Sequence, residues 1–234
     1  MIVYVDYEHA DFYSSERGER IQAARTRITY RLEDLSGRHC MLVRYDRMHP
    51  ELLERIGAEA IFISGNATDP RSYDPAAIEP LAEIVRTTEL PIFGFCGGFQ
   101  FLAAALGAQV VPLEVDDDEP ETELLRRNPE SGRWFEFGYH PVTLERDHPL
   151  LAGWDAASAF RHAHGLHVPE PPDGFRVYAS TPATPVQLAV HDARRIVGTQ
   201  FHPEYWTDEH PAGRTLLANF LVWSGLTGSA MMDR

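Results

Sequence analysis

Cys96 lies where a catalytic nucleophile would be expected. It ends the apolar run at residues 91–95, and glycines stand two positions before it and two positions after it, at Gly94 and Gly98. This G-x-C-x-G spacing is typical of a nucleophile elbow, a tight strand-to-helix turn that exposes the reactive side chain. The N–H groups that begin the following helix would favour a thiolate, and the N–H of Gly97 could bind an oxyanion. The alternative is that Cys96 is a small buried residue with glycines for close packing.

A candidate base lies near the end of the chain, where an apolar strand pattern runs into FHPE at residues 201–204. Side chains alternate along an extended chain, so His202 and Glu204 would lie on the same side. Glu204 could accept a hydrogen bond from one imidazole nitrogen and leave the other for Cys96. A surface His and Glu at a strand end is the alternative. The two motifs together predict a triad of Cys96 as nucleophile, His202 as base and Glu204 as the residue that orients the base.

Short apolar runs alternate with helical patterns, which predicts an α/β fold with a mainly parallel sheet. Strands are predicted at residues 2–5, 40–45, 60–63, 91–95, 137–144, 175–179, 186–190 and 196–201. Helices are predicted at residues 17–35, 51–56, 75–88, 98–106 and 211–223, with Asp74 as an N-cap and Gly37 and Gly57 as stops. Residues 64–73 form a polar loop. No repeat or linker divides the chain, so residues 1–234 are expected to form one domain.

The charge balance argues against nucleic acid or an anionic membrane as a partner. The chain has 35 acidic and 21 basic residues and a formal net charge of −14. Arginines 17, 20, 25 and 27 are interpreted as the solvent-exposed face of an amphipathic helix. Residues 114–123 are interpreted as a solvated acidic loop.

The two cysteines cannot form a disulfide framework, and Cys40 is expected to be inert core. No signal peptide or membrane-spanning run is evident, so a cytoplasmic location is expected.

The two catalytic motifs together resemble those of the class I glutamine amidotransferases. The elbow reads GFCGGFQ at residues 94–100, and the late motif reads FHPE. IFISGNATDP at 61–70 is similar to the family's loop after its third strand, and FRHAHGLHV at 160–168 is similar to its H-G-D-x-V segment. The resemblance implies a flavodoxin-like core with an added small antiparallel portion. It also implies hydrolysis of the glutamine side-chain amide through a cysteine thioester, without a cofactor.

The resemblance assigns expected roles residue by residue. Cys96, His202 and Glu204 match the triad, Gln100 matches a residue that contacts glutamine, and the backbones of Gly97, Gly165 and Leu166 match pocket positions. His164 is expected to be structural or to line the pocket.

Three residues depart from the family pattern. Asn66 stands where a glycine N–H usually completes the oxyanion hole, Ala163 replaces a polar residue of some relatives, and Leu166 replaces a common Asp. If the N–H of Asn66 is available only in some conformations, the lone chain would be a weak glutaminase that a partner activates.

Two other clusters have rival interpretations. His162, His164 and His167 form H-x-H-x-x-H, a spacing that could bind a metal, but no carboxylate occupies an obvious partner position. No metal is therefore expected. The aromatic residues 134, 135, 137 and 139 are expected to pack in the core, or else to form a wall of the pocket.

The expected function is release of ammonia from glutamine. Either a separate synthase subunit receives the ammonia, or the enzyme acts alone as a hydrolase. A γ-glutamyl hydrolase, which would cleave a γ-glutamyl amide with the same triad, is the first alternative. A non-catalytic regulatory module of the same fold is the second.

Overall fold

The computed structural model describes residues 1–116, 120–129 and 131–226, and its strands form one large and two small sheets. The strands are β1 Ile2–Asp6, β2 Cys40–Arg44, β3 Ala60–Ile63, β4 Ile92–Phe95, β5 Val111–Pro112, β6 Leu125–Arg127, β7 Trp134–Pro141, β8 Thr143–Leu144, β9 Ala159–His164, β10 Leu166–His167, β11 Arg176–Ser180, β12 Leu188–His191 and β13 Ile196–Thr199. The helices are α1 Glu16–Ser36, α2 Pro50–Ile56, α3 Pro75–Thr87, α4 Gly97–Ala105 and α5 Ala212–Trp223.

The large sheet has the strand order β2-β1-β3-β4-β13-β12-β11-β8. Its first five strands are parallel, and the last three join by antiparallel pairing. Strands β6, β7 and β9 form a separate antiparallel sheet, and β5 pairs with β10. The prediction of a mainly parallel sheet flanked by helices, with a small antiparallel portion, is confirmed.

Helices cover both faces of the large sheet because its central strands are apolar on both sides. Every residue of β1, β3 and β4 is buried. One core lies under α2, α3 and α4, and the other lies under α1 and α5. In the second core the ring of Phe220 on α5 lies 5.0 Å from that of Phe93 and 5.5 Å from that of Phe62, centroid to centroid.

Local sequence signals set the helix ends as predicted. Gly37 and Gly57 take left-handed backbone angles after α1 and α2, and the Asp74 side chain accepts from the N–H of Ala76 at the start of α3. The predicted strand at 137–144 is instead divided between β7 and β8, which belong to different sheets. Four short strands, β5, β6, β9 and β10, were not predicted.

One interpretation of side-chain environment is wrong. Arg25 does not lie on the solvent-exposed face of α1, because it is 3% exposed and forms an ion pair with Asp6, Nε to Oδ1, at 2.9 Å. Cys40 packs against the second core but is only partly buried, because β2 is the edge strand of the sheet. The acidic segment 114–123 falls partly outside the described residues.

No helix in the described parts of the chain is both long and apolar enough to cross a membrane.

Replacing Phe220 by alanine should destabilise the fold strongly. The side chain is fully buried between α5 and the sheet, so Phe220→Ala leaves a cavity that costs about 3–5 kcal/mol. Urea denaturation monitored by fluorescence measures this loss of unfolding free energy. The control Met41→Ala, at an exposed edge position, should change it by less than about 0.5 kcal/mol. Equal effects of the two variants would contradict this description of the core.

Candidate active site

Cys96 occupies the turn between β4 and α4 and has a backbone φ of +48°, which is rare for a residue with a side chain. Only glycine fits at position 98, two residues later, because a Cβ there would lie 2.3 Å from the carbonyl oxygen of Ile63. The N–H of Cys96 donates to the carbonyl of Thr199 at 2.7 Å. The elbow therefore lies between β3 and β13. The sulfur lies at the carboxyl ends of the parallel strands, where ligands bind in open α/β sheets.

His202 and Glu204 follow β13, the strand beside β4. The Nδ1 of His202 lies 2.8 Å from Oε1 of Glu204, whose side chain is fully buried. The N–H of His202 donates to the carbonyl of Arg161 at 2.8 Å, and Arg31 donates to the carbonyl of Glu204 at 2.7 Å. The imidazole is therefore held by its carboxylate and by the backbone on both sides.

The charge state of His202 is set by its two neighbours. Burial by itself would lower the pKa of the imidazole, but the Glu204 carboxylate and the hydrogen-bonded Cys96 sulfur raise it. Together they bring the pKa of His202 to about 10. Both neighbours therefore favour the protonated form of the His202 imidazole over the neutral form.

Two residues beside the sulfur are absent from the predicted site. Gln200 is fully buried and its Nε2 lies 3.6 Å from the sulfur of Cys96. The same alternation that pairs His202 with Glu204 places Gln200 on their side and could have indicated it. Gly65 is the second, since a Cβ there would lie 2.7 Å from Cε1 of His202 and 3.5 Å from Cβ of Cys96.

The structure brings Asn66 and Gly97 together beside Cys96. A Cβ at Gly97 would lie 3.0 Å from the backbone nitrogen of Asn66 and 1.8 Å from its Oδ1. The other side-chain atom, Nδ2, donates to the carbonyl of Thr68 at 2.7 Å and to the hydroxyl of Tyr73 at 3.1 Å. Asn66 thus fits here because residue 97 has no side chain.

The four residues expected to contact substrate also lie together. Gln100 Nε2 donates to the carbonyl of Leu166 at 2.8 Å, and Nδ1 of His164 lies 3.2 Å from the same oxygen. The carbonyl of Gly165 accepts from the N–H of Leu113 at 2.8 Å, which ties the segment to the two-stranded sheet. These contacts connect the first turn of α4 to the segment after β9, which begins at Gly165 and continues into β10.

The expectation that no carboxylate faces the histidine cluster is wrong. Glu136 on β7 pairs directly with His164 on β9, and its Oε2 lies 2.8 Å from Nε2 of His164 and 3.5 Å from Nδ1 of His162. Ligand atoms of these three buried residues lie within 4.8 Å of one another, close enough to hold a metal ion. His167 lies outside this group.

The hydrogen bonds of Glu136 offer an explanation that needs no metal. Its carboxylate also accepts from Thr181 Oγ1 and from Gln187 Nε2, both at 2.5 Å. Burial by itself would raise the pKa of the Glu136 carboxyl. The two imidazoles lower it by more than burial raises it, so that the pKa lies well below the usual range. A carboxylate with this many donors is satisfied as an anion in the core.

The structure bears out core packing for one member of the aromatic cluster and leaves another exposed. Trp134 is buried with Leu113 and Leu125 in a small core of its own, whereas Phe137 is 38% exposed under the guanidinium of Arg161.

The rate of alkylation at neutral pH should separate Cys96 from Cys40. Iodoacetamide should modify Cys96 faster, because the imidazole of His202 contacts its sulfur and can accept the thiol proton. Burial and the nearby Glu33 raise the pKa of Cys40 to about 12, so its reaction should be far slower. Mass spectrometry of quenched time points measures both rates. In His202→Ala the rate at Cys96 should fall, because the neighbouring base is lost. Equal rates at the two cysteines would contradict the assignment.

Metal analysis tests the Glu136 cluster. Protein purified without added ions should contain less than one equivalent of zinc, iron or manganese, because the hydrogen bonds of Glu136 already satisfy it. A stoichiometric metal that is lost in His164→Ala would overturn this expectation.

The sequence is similar to known proteins over most of its length. The family model of glutamine amidotransferase class-I matches residues 22–223. A GMP synthase [glutamine-hydrolyzing] of Symbiobacterium thermophilum is 34% identical over 167 residues, which are 70% of this chain and 28% of that protein. One of Dinoroseobacter shibae is 31% identical over 216 residues, which are 88% of this chain and 36% of that protein. The chain thus spans about a third of the length of these curated relatives.

Two solved structures match nearly the whole chain. A putative GMP synthase subunit from Thermoplasma acidophilum has a TM-score of 0.70 at 22% identity and covers 96% of this chain and 94% of its own. The glutaminase domain of Trypanosoma brucei CTPS, solved with bound acivicin, has a TM-score of 0.64 at 17% identity and covers 97% and 95%. These matches extend the likeness in fold beyond the family model at both ends. From the match at residues 22–223, the chain belongs to the class I glutamine amidotransferase family.

Proposed function

We propose that this chain hydrolyses the side-chain amide of glutamine to glutamate and ammonia through a thioester at Cys96. One observation carries the proposal: the imidazole of His202 lies between the carboxylate of Glu204 and a cysteine held at a strained strand-to-helix turn. Nucleophile, base and orienting carboxylate are the parts that cysteine acyl transfer requires. Membership of the family supports the same reaction.

In the proposed first half-reaction, the Cys96 thiolate attacks the amide carbon and the carbonyl oxygen becomes an oxyanion. The backbone N–H groups of Gly97 and Asn66 are the donors proposed to bind it, because both lie at the elbow. His202 then gives its proton to the departing nitrogen, which leaves as ammonia while the thioester forms.

In the second half-reaction, neutral His202 takes a proton from water as the water attacks the thioester. The same two N–H groups stabilise the second oxyanion, and its collapse releases glutamate and the Cys96 thiolate. Glu204 keeps the imidazole in the required orientation and stabilises its charged form.

The glutamine pocket is proposed to lie between α4 and the loop after β9. The backbones of Gly97, Gly165 and Leu166 would line it, with Gln100 and His164 fixing that loop through the carbonyl of Leu166. The hydrogen-bonded connection from α4 to the loop supports this placement.

The fate of the ammonia is proposed from the relatives. The curated relatives are GMP synthases about two and a half times as long as this chain, which leaves room for a part that uses the ammonia. We infer that residues 1–234 act as one glutaminase-type domain and that a separate synthase subunit receives the ammonia. A cytoplasmic location is proposed because the reaction needs the free thiol of Cys96, and both cysteines are free.

A γ-glutamyl hydrolase is the second candidate, and Ala163 is the observation that favours it. This small residue is exposed on β9, two positions from Arg161, whose carbonyl binds the N–H of His202. A small apolar side chain at this place leaves room for an amine larger than ammonia.

Steady-state kinetics of the lone chain tests both candidates. Ammonia release from glutamine should saturate with substrate, and Cys96→Ser should reduce the turnover rate by at least about 10³-fold, since the nucleophile is lost. A bulky γ-glutamyl amide should react poorly by comparison. Fast cleavage of that amide with little action on glutamine would replace the first candidate by the second. No action on either substrate would favour a regulatory module.

A further inference from the structure

The peptide that joins Gly65 to Asn66 has its orientation fixed from inside the protein. Arg25 on α1 donates from Nη2 to the carbonyl oxygen of Gly65 at 2.5 Å. The same guanidinium donates from Nε to Oδ1 of Asp6, at the end of β1, at 2.9 Å. Both charged side chains are almost wholly buried, at 3% and 5% exposure.

Peptide geometry links this contact to the oxyanion site. This peptide bond is trans, so its C=O and its N–H point in opposite directions. With the Gly65 oxygen directed at Arg25, the N–H of Asn66 points away from the guanidinium. The Asn66 nitrogen lies 3.0 Å from the place where a Cβ of Gly97 would be, so it is beside the elbow.

The opposite orientation would be costly. It would direct the Gly65 oxygen, an acceptor, toward the place where negative charge develops. It would also leave a buried guanidinium N–H without its acceptor, and unpaired buried donors of charged groups are strongly unfavourable.

A second buried charge holds the next part of the loop. Glu8 is 1% exposed, and its carboxylate accepts from the N–H of Ala67 at 2.6 Å and from the N–H and hydroxyl of Thr68 at 3.3 and 2.6 Å. Asn66 therefore lies between two anchored segments. Both anchors come from the first 25 residues, where the sequence carries no motif of the family.

We propose that Arg25 is a positioning residue that keeps the oxyanion hole formed in the lone chain. This inference rests on the proposed function, because it concerns the N–H of Asn66 as a donor in that reaction. From Asn66 alone, the lone chain would be expected to be a weak glutaminase that a partner activates. The anchoring by Arg25 leads to the opposite expectation. No partner is needed to order this loop, and the isolated chain should be an efficient hydrolase.

The test is Arg25→Lys, with Arg194→Lys as the matched control. Lysine at position 25 can keep the ion pair with Asp6. Its single ammonium cannot also donate to the Gly65 carbonyl, as the forked guanidinium does. Arg194 likewise donates to backbone carbonyls, of Val85 at 2.6 Å and Arg86 at 3.2 Å, at the end of α3. The control therefore has the same chemistry at a different place.

Arg25→Lys should lower kcat about 10²-fold, as loss of one oxyanion donor does, and change KM less than about threefold. Arg194→Lys should leave both constants unchanged.

Two inactivators distinguish a positioning role of Arg25 from a merely structural one, because a structural defect would slow both reactions. A chloromethyl ketone analogue of glutamine reacts with the thiolate through a tetrahedral oxyanion before chloride leaves. Iodoacetamide reacts by direct displacement of iodide and forms no oxyanion. Arg25→Lys should slow the first reaction about as much as it lowers kcat, and should leave the second unchanged.

An unchanged kcat in Arg25→Lys would overturn the proposal, and so would equal slowing by both inactivators. If Arg25→Lys does not fold, Asp6→Asn gives the second variant, because it keeps the guanidinium but weakens its anchor. It should show a smaller loss with the same selectivity for the ketone, and equal slowing there would also overturn the proposal. Wild-type protein that releases no ammonia but still reacts with both reagents would refute the proposed function, and the ketone comparison would still test Arg25.

Discussion

The parallel pairing of β4 with β13 is the constraint on which the site depends. Thr199 lies beside Phe95, and Cys96, the residue that follows β4, donates its N–H to the Thr199 carbonyl at 2.7 Å. Two segments about a hundred residues apart in sequence therefore end at the same edge. A shift of this register by one residue would turn Gln200 and His202 to the other face, because side chains alternate along the strand. The apolar cores on both sides of the sheet fix the register.

Around this edge the protein places several charges in its interior, and each has a partner. Asp6 holds Arg25, Glu8 holds backbone N–H groups, Glu136 holds two imidazoles and Glu204 holds His202. Buried ion pairs contribute little net stability, since desolvation offsets most of their attraction. Their value here is geometric, because each carboxylate holds a side chain or a backbone segment in one position. The large apolar cores supply the stability that such an arrangement requires.

The predictable part of the structure is the part encoded by local pattern. The glycine spacing around Cys96, the alternation from His202 to Glu204 and the caps at Gly37, Gly57 and Asp74 depend on neighbours in sequence. The partner of His164 was not predictable in this way, because Glu136 meets it through a strand pairing about thirty residues apart. Arg25 is an intermediate case. It precedes Ile28 by three residues and Leu32 by seven, which places it on the buried stripe of α1, but its charge suggested solvent. The buried carboxylate of Asp6 and the carbonyl of Gly65 explain how a guanidinium is accommodated there.

The close approach of Asn66 to Gly97 restricts the order in which this site could change during evolution. The Asn66 side chain fills the space where any Cβ at position 97 would be, and its amide is tied to Thr68 and Tyr73. An alanine at 97 in the present background would have to displace both the side chain and its hydrogen bonds. If position 66 first became glycine, the side-chain obstacle would be gone, and the backbone nitrogen at 3.0 Å would require only a small adjustment. The two positions are therefore epistatic, and the asparagine makes the glycine of the elbow harder to replace.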